Sequence, residues 1–273
     1  MDKWDIVYLQ GTHHNGNGTK PSYAALFEDC EYKCFWGSGS TSSSGGVVIF
    51  ISNRAMNCGL KIDGAWQQDA MTDGNASMGR LLCLRATIFD EPHALGNLHI
   101  PCTGKAADRR VFIADLKAAL QRYAGRHLVI GWNFNGVLDE FDILPLSGPN
   151  DVRIREHTKG TDELDSVWAA DIWRYVVGHS PTFKHMYKRD RHGGSRVDTF
   201  ALTPEVTDLV IPNCMEHLLG YPGLYLGVSF SMIGCSTIPS GRSLQPMQSK
   251  SCKSADALTP LSVAFSMQHL LTV

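Results

Sequence analysis

His127-Leu128-Val129-Ile130-Gly131-Trp132-Asn133-Phe134-Asn135 is the stretch on which the reading of this chain turns. The apolar run at its start predicts a strand. That strand delivers glycine and two asparagines into a loop, which is where proteins of mixed α and β structure build their sites. The flanks agree. Upstream, Asp108 to Gly125 predicts a helix, with Phe112, Leu116, Ala119, Leu120 and Tyr123 at helical spacing, Asp108 as N-cap and Gly125 as the C-terminal stop. Downstream comes the acid-rich turn Val137-Leu138-Asp139-Glu140-Phe141-Asp142. Asparagine at a strand end also serves ordinary turns, so the stretch needs support from the rest of the chain.

Outward from it, Trp4 to Gln10, Val47 to Ile51, Gly79 to Phe89 and Asn97 to Pro101 read as strands, the second fed by a Gly/Ser tract from Gly37 to Gly46. Leu164, Val167, Trp168, Ile172 and Tyr175 suggest a second helix from Thr161 to Val177. Thr182-Phe183, Ser195 to Leu202, Val206 to Ile211 and Leu224 to Phe230 suggest further strands. Strands outnumber helices and alternate with them irregularly, so the expected class is α+β or mixed α/β with a sheet-rich core. After about Gly234 the chain turns to Ser, Thr, Lys and Gln. This divides it into a domain over 1–233 and a poorly ordered or irregular tail over 234–273, with a short helix from Leu258 to Val273.

The 273 residues suffice for a substantial core, and 43% hydrophobic with 19% charged residues is the balance of a soluble globular protein. No apolar run approaches the ~20 residues that span a bilayer, and charge breaks Met1-Asp2-Lys3-Trp4-Asp5 before a signal peptide can form. Eight cysteines without a CxxC pair indicate neither a zinc ribbon nor a disulfide framework, and the reading is a reducing compartment, nucleus or cytoplasm. Cys83, in a strand-like run, reads as a small buried hydrophobe. A net charge of −2 argues for no anionic partner globally. The segment 184–196 departs from that balance: Lys184, Lys188, Arg189, Arg191 and Arg196 surround Tyr187 and suit phosphates and a stacked base, or else form a solvated loop.

Several of these pieces stand in the order of a known family. Asp5-Ile6-Val7-Tyr8-Leu9-Gln10-Gly11-Thr12-His13 resembles "D-I-x-x-L-Q-E-T-H", and Gly45 to Phe50 resembles a "G-V-A-I" strand. Asn97 to Cys102 resembles "N-I-Y-A-P-N", and Gly131 to Asp139 resembles "G-G-D-F-N-x-V-L-D". Asp171 to Arg174 and Ser195 to Asp198 resemble "D-x-W-R" and "S-R-I-D". Together, over residues 4 to 230, they resemble the endonuclease/exonuclease/phosphatase superfamily, in particular the endonuclease domain of LINE-type non-LTR retrotransposons. The resemblance implies a two-sheet β-sandwich flanked by helices. It also implies a divalent metal, usually Mg²⁺ with Mn²⁺ as an alternative, that supports attack of water on a DNA phosphodiester.

Carried over residue by residue, Asn135 stands at the phosphate-binding asparagine and Asp198 at the carboxylate that orients the catalytic histidine. His217 resembles that histidine, the base that takes the water's proton, and Glu216 stands for a metal-binding aspartate. The departures concern charge. Gly11 stands where the family has its principal metal-binding glutamate, and Asn133 replaces a proton-shuttling aspartate with an amide that cannot ionise. His99 takes the place of a tyrosine and Cys102 that of an asparagine. The family's first strand is expected before residue 4, so the domain reads as lacking it, with an open sheet edge.

The resulting expectation is a degenerate retrotransposon endonuclease domain, impaired or inactive, with weakened or absent metal binding. DNA is its partner; no membrane and no obligate protein partner are indicated. Two alternatives stay open. One is an active nuclease with a rearranged metal site, for instance through His13 and His14. The other is a non-catalytic nucleic-acid-binding module. A lipid phosphatase of the same superfamily has less support, because nothing here suggests a lipid-binding surface.

Overall fold

The structure, a computed structural model, describes residues 5–12, 31–37, 46–66, 79–100, 106–133, 143–144, 170–171, 187–190, 193–195, 198–203, 206, 216–217, 225–230 and 261–267. Its strands are β1 (Ile6–Gln10), β2 (Tyr32–Gly37), β3 (Val47–Ser52), β4 (Leu60–Trp66), β5 (Leu81–Ile88), β6 (Glu91–His99), β7 (His127–Asn133), β8 (Ile143–Leu144), β9 (Ala170–Asp171), β10 (Tyr187–Asp190), β11 (Gly193–Ser195), β12 (Asp198–Leu202), β13 (Glu216–His217), β14 (Tyr225–Phe230) and β15 (Leu261–Met267). Two helices join them, α1 (Asn53–Asn57) and α2 (Ala106–Gln121).

Two six-stranded sheets face each other, in the orders β13-β14-β15-β1-β3-β2 and β4-β5-β6-β7-β12-β9, and β10-β11-β8 form a small third sheet. The period-two alternation of strands explains the layers. Ile6, Tyr8, Val47, Ile49 and Ile51 meet Leu84, Leu95, Val129, Phe200 and Leu202 between the sheets. Leu9, Val48 and Phe50, on the alternate positions, pack with Tyr32 in a separate cluster on the first sheet's other face. Outside the second sheet, Phe112, Ile113, Leu116 and Leu120 of α2, with Tyr123 of the turn that follows it, cover Cys83, Leu98, Ile130 and Trp132. Cys83 is buried as expected, and burial pushes its thiol up to about 12. The expected two-sheet α+β class is therefore observed. No helix among the described residues is long and apolar enough to cross a membrane.

Several boundaries differ from the sequence expectation. The helix begins at Ala106, so Asp108 lies inside it rather than capping it, and the α-helical span closes at Gln121 ahead of a turn that reaches Gly125 at φ +79°. Of the helix expected over 161–177, the described part is the two-residue strand Ala170–Asp171, paired with Ala201 and Leu202. Ser195 to Leu202 divides between two sheets, as the end of β11 and as β12. Part of the basic segment is a hairpin, with Tyr187 opposite Ser195 and Lys188 opposite Gly194. Lys184, Arg191 and Arg196 lie outside the described residues, as do Thr182-Phe183, 207–211 and 234–260.

The largest difference concerns residues 258–273. Instead of a helix in an irregular tail, Leu261–Met267 form a strand between β14 and β1, with Ile6 opposite Val263 and Gln10 opposite Met267 in parallel register. The sequence reading expects an open sheet edge where a first strand is missing. β1 is paired on both sides, by β15 and by antiparallel β3. Because β15 donates to neighbours on both sides, proline within it removes a ladder hydrogen bond and forces the strand apart. Ala264→Pro is expected to lower the thermal midpoint by roughly 5–10 °C, on the order of 3 kcal/mol; an unchanged melt would place this segment outside the sheet.

The end of the second sheet remote from Asn133 carries a buried histidine. His93 is 2% exposed; its Nδ1 donates to the Glu91 carbonyl at 2.9 Å, while its buried Nε2 has no hydrogen-bond partner. The His127 ring lies 5.0 Å away and Arg126 donates to the His93 carbonyl. Burial, reinforced by His127 and Arg126 against the opposing pull of Glu91, lowers the imidazole to about 4. The unfolded chain takes up its proton at higher pH than the folded one. The stabilisation is therefore complete above about pH 6.5 and is lost as pH falls through about 4. The unfolding free energy read from urea denaturation should drop over that window by about 3 kcal/mol, and His93→Phe should flatten the slope; equal slopes would exclude His93 as the source.

Candidate functional site

The two sheets are tied together at one end by a pair of buried amides. Gln10, the last residue of β1, donates from Nε2 to Asn97 Oδ1 at 2.8 Å and to the Leu98 and Gly131 carbonyls at 2.6 and 3.3 Å. Asn97 of β6 answers with Nδ2, donating to the Leu9 and Val48 carbonyls of the opposite sheet, each at 2.8 Å. Both side chains are fully buried. Gln10 Oε1 has no hydrogen-bond partner, so the clasp is built on donors and leaves one acceptor unsatisfied. Gln10 belongs to the first quoted motif, yet sequence reasoning assigned it no role.

The clasp fixes what stands at the strand ends. His99 and Asn133 are opposite each other in the parallel β6–β7 register, and Asp198 is opposite Asn133 across β7–β12. Three of the expected site positions thus form one row across three neighbouring strands. The row is closed by backbone: Ile100 N–H donates to the Asn133 carbonyl at 2.9 Å. Asn133 is completely buried, so its amide acts as part of the floor of the site rather than as a group reaching into solvent. Beside the row, Gly11 follows Gln10 at φ +63°, a left-handed conformation that disfavours any residue with a Cβ. Thr12 then ties the chain back to β3, its N–H donating to the Gly46 carbonyl.

Arg80 belongs to this end as well, and sequence reasoning missed it. Its carbonyl accepts the His99 N–H at 2.7 Å and its guanidinium Nη1 donates to the His99 carbonyl at 3.4 Å. An isolated arginine ahead of an apolar strand carries no motif, and its position follows only from the β5–β6 register, in which Leu81 faces Leu98. Glu216 and His217 are placed through their backbone in β13, at the edge of the first sheet, opposite Gly227 and Leu226 of β14. They belong to the sheet that faces the His99–Asn133–Asp198 row, not to the row itself. Asn135, Cys102, His13 and His14 lie outside the described residues; Lys188 and Arg189 belong to β10 in the third sheet.

A hard divalent cation requires a convergent set of anionic oxygens. At this end Gly11 has no side chain, Asn133 and Asn97 are neutral amides, the Gln10 amide nitrogen faces carbonyls, and Asp198 is the carboxylate of the row. Among the described residues there is no group of three or more His, Cys, Asp and Glu that could hold a metal ion. The side chains described here do not fit Mg²⁺, and no chemical step is derived through one.

No protein-family model matches the chain and no curated protein matches its sequence significantly. Solved structures match its fold. A 3′ phosphatase, NExo, from Neisseria, solved as an aspartate-to-asparagine variant bound to product DNA hairpin, has a TM-score of 0.58 at 17% identity, covering 76% of this chain and 79% of its own. The 3′-5′ exonuclease NExo from Neisseria meningitidis gives 0.56 at 16% identity, over 76% and 80%. The AP endonuclease LMAP from Leishmania major gives 0.59 at 15% identity, over 76% and 72%. The chain shares the fold of these structures.

The amide clasp makes a direct prediction. Gln10→Glu preserves shape but sets a carboxylate against the Asn97 oxygen and two carbonyls. It is expected to cost about 2–4 kcal/mol of stability near neutral pH, read from urea denaturation. A loss below about 0.5 kcal/mol, the range of a neutral surface change, would show that this amide does not join the sheets.

Proposed function

We propose that this chain is a retrotransposon-derived endonuclease-like domain of the LINE type, built on a scaffold for phosphodiester hydrolysis and impaired or inactive in this copy, acting in the nucleus or cytoplasm. The observation that carries the reading is the loss of charge at the strand ends: a left-handed glycine and a buried amide at two positions where the resembled family has carboxylates. Hydrolysis of a phosphodiester forms a bond from water oxygen to phosphorus, breaks the bond to the leaving oxygen, and moves a proton from the water to a base and one onto the leaving group. Asn133 can donate a hydrogen bond to a phosphate oxygen but can neither take nor release that proton. Loss of one such function removes about 10²–10⁴-fold in rate, and loss of a metal-binding carboxylate at Gly11 adds to it.

Within this reading His217, with Asp198 to orient it, is the residual base, Glu216 the residual metal carboxylate and Asn135 the residual phosphate donor. DNA is the partner. Lys184, Lys188, Arg189, Arg191 and Arg196 supply phosphate contacts, a reading supported by the hairpin in which Lys188 and Arg189 stand. The structure solved with a DNA hairpin supports DNA as the ligand class by similarity of fold.

Supercoiled plasmid incubated with the purified chain in Mg²⁺ or Mn²⁺ is expected to stay intact. The double variant Gly11→Glu, Asn133→Asp should raise nicking by at least about 10²-fold over the parent. Nicking by the parent that is abolished in His217→Ala would refute impairment and favour a rearranged, active metal site.

A further inference from the structure

We propose that β13, β14 and β15 form one unit that detaches from the edge of β1 and closes on it again without unfolding the rest of the sandwich, with β15 as the pin. Among the described residues β13 pairs only with β14, β14 only with β13 and β15, and β15 alone joins them to β1. Two rows of backbone register run through that joint. One leads from Glu216 through Gly227 and Ala264 to Val7, the other from His217 through Leu226 and Phe265 to Tyr8. The strand that carries Glu216 and His217 thus reaches the strand that carries the Gln10 clasp only by way of residues 261–267.

Two features put the weak seam between β15 and β1. The β14–β15 ladder is antiparallel and unbroken from Tyr225 opposite Ser266 to Phe230 opposite Leu261, whereas β15 meets β1 in parallel, the slightly weaker pairing per residue. The second feature is where the two sheets touch. Their extensive backbone approaches run from β1 and β3 to β6 and from β2 and β3 to β5; none of comparable extent reaches β13, β14 or β15. The buried hydrogen bonds between the sheets likewise engage β1 and β3, through Gln10, Asn97 and Tyr8. A segment with few cross-links opens at a lower free energy than the core it leans on. The consequence for chemistry rests on the reading that gives Glu216 and His217 to the reaction. Detachment removes both from the sheet that faces the His99–Asn133–Asp198 row, so the site comes apart while the row stays folded.

The test is hydrogen exchange read by mass spectrometry on the full chain, at a series of urea concentrations below the global transition. Peptides containing 216–217, 225–230 and 261–267 are expected to open together, with one urea dependence. Their open population should exceed that of peptides containing 81–99 and 127–133 by at least about tenfold. Ala264→Pro, which breaks β15, should leave 225–230 exchanging close to the rate of an unfolded chain, while 81–99 and 127–133 stay slower by at least about a hundredfold. If that variant does not fold, the wild-type series decides. A single opening shared by all these segments overturns the inference, and so does a β14 that keeps its protection when β15 has lost it. The reading of Glu216 and His217 is decided separately by the plasmid assay: a chain that fails there still shows the expected exchange pattern if the unit detaches.

Discussion

The hydrogen bond that the Gln10 side chain donates to Asn97, with the backbone carbonyls each amide reaches on the opposite sheet, is the constraint on which this end of the sandwich depends. Apolar packing between two sheets is not directional, and Ile6, Tyr8, Leu95 and Val129 alone would tolerate small slides of one sheet over the other. Buried hydrogen bonds do not tolerate them. Gln10 reaches two strands of the second sheet, and Asn97 reaches back to two strands of the first. A shift that broke this pair would leave polar groups buried and unpaired, at about 1–3 kcal/mol each. Tyr8 adds a weaker link of the same kind, its hydroxyl donating to the Val129 carbonyl at 3.4 Å while its ring meets Phe200 edge-on. Register between the sheets is thus set at the same end as the site, and His99 and Asn133 inherit their placement from it.

How far the fold was legible depended on how strongly each strand was buried. β1, β3, β5 and β7 have both faces covered, and their near-continuous apolar runs announced them. β2 and β4 are edge strands of mixed composition, with Lys33, Lys61 and Asp63 among their residues, and they carried no such run. The start of β6 was missed for a different reason. Phe89 and Asp90 make the turn before it with φ of 50° and 66°, geometry usually signalled by Asn or Gly. An aromatic side chain there looked like the continuation of a strand; Phe89 also packs against the inter-sheet core, which offsets the backbone strain. β15 was readable: Leu261, Val263, Phe265 and Met267 alternate with Ser262, Ala264 and Ser266, which is period two, not a helical period. The biased composition just before it hid that alternation.

At the site, motif order found the positions that register now unites: His99 beside Asn133, and Asp198 beside Asn133. What it could not supply was the distinction between a residue that meets a ligand and one that holds the fold. Gln10 sits inside the first motif without an assigned role, and its amide is spent on the opposite sheet. Arg80 sits inside no motif, and its bonds to His99 bring it to this end of the sheet. Both omissions have one cause. Contacts across 19 residues for Arg80 and 87 for Gln10 leave no periodic trace in the sequence.

The backbone at Gly11 bears on what a carboxylate at this position would meet. A backbone in the ordinary extended or helical region would accept any residue there. Gly11 instead occupies the left-handed region at φ +63°, between the buried Gln10 and a Thr12 whose N–H is bonded to Gly46. A side chain placed there carries a strain of about 1–2 kcal/mol. Moving the backbone to relieve it would pull on the clasp on one side and on the bond to Gly46 on the other. A glutamate at this position therefore works against the same interactions that align the two sheets.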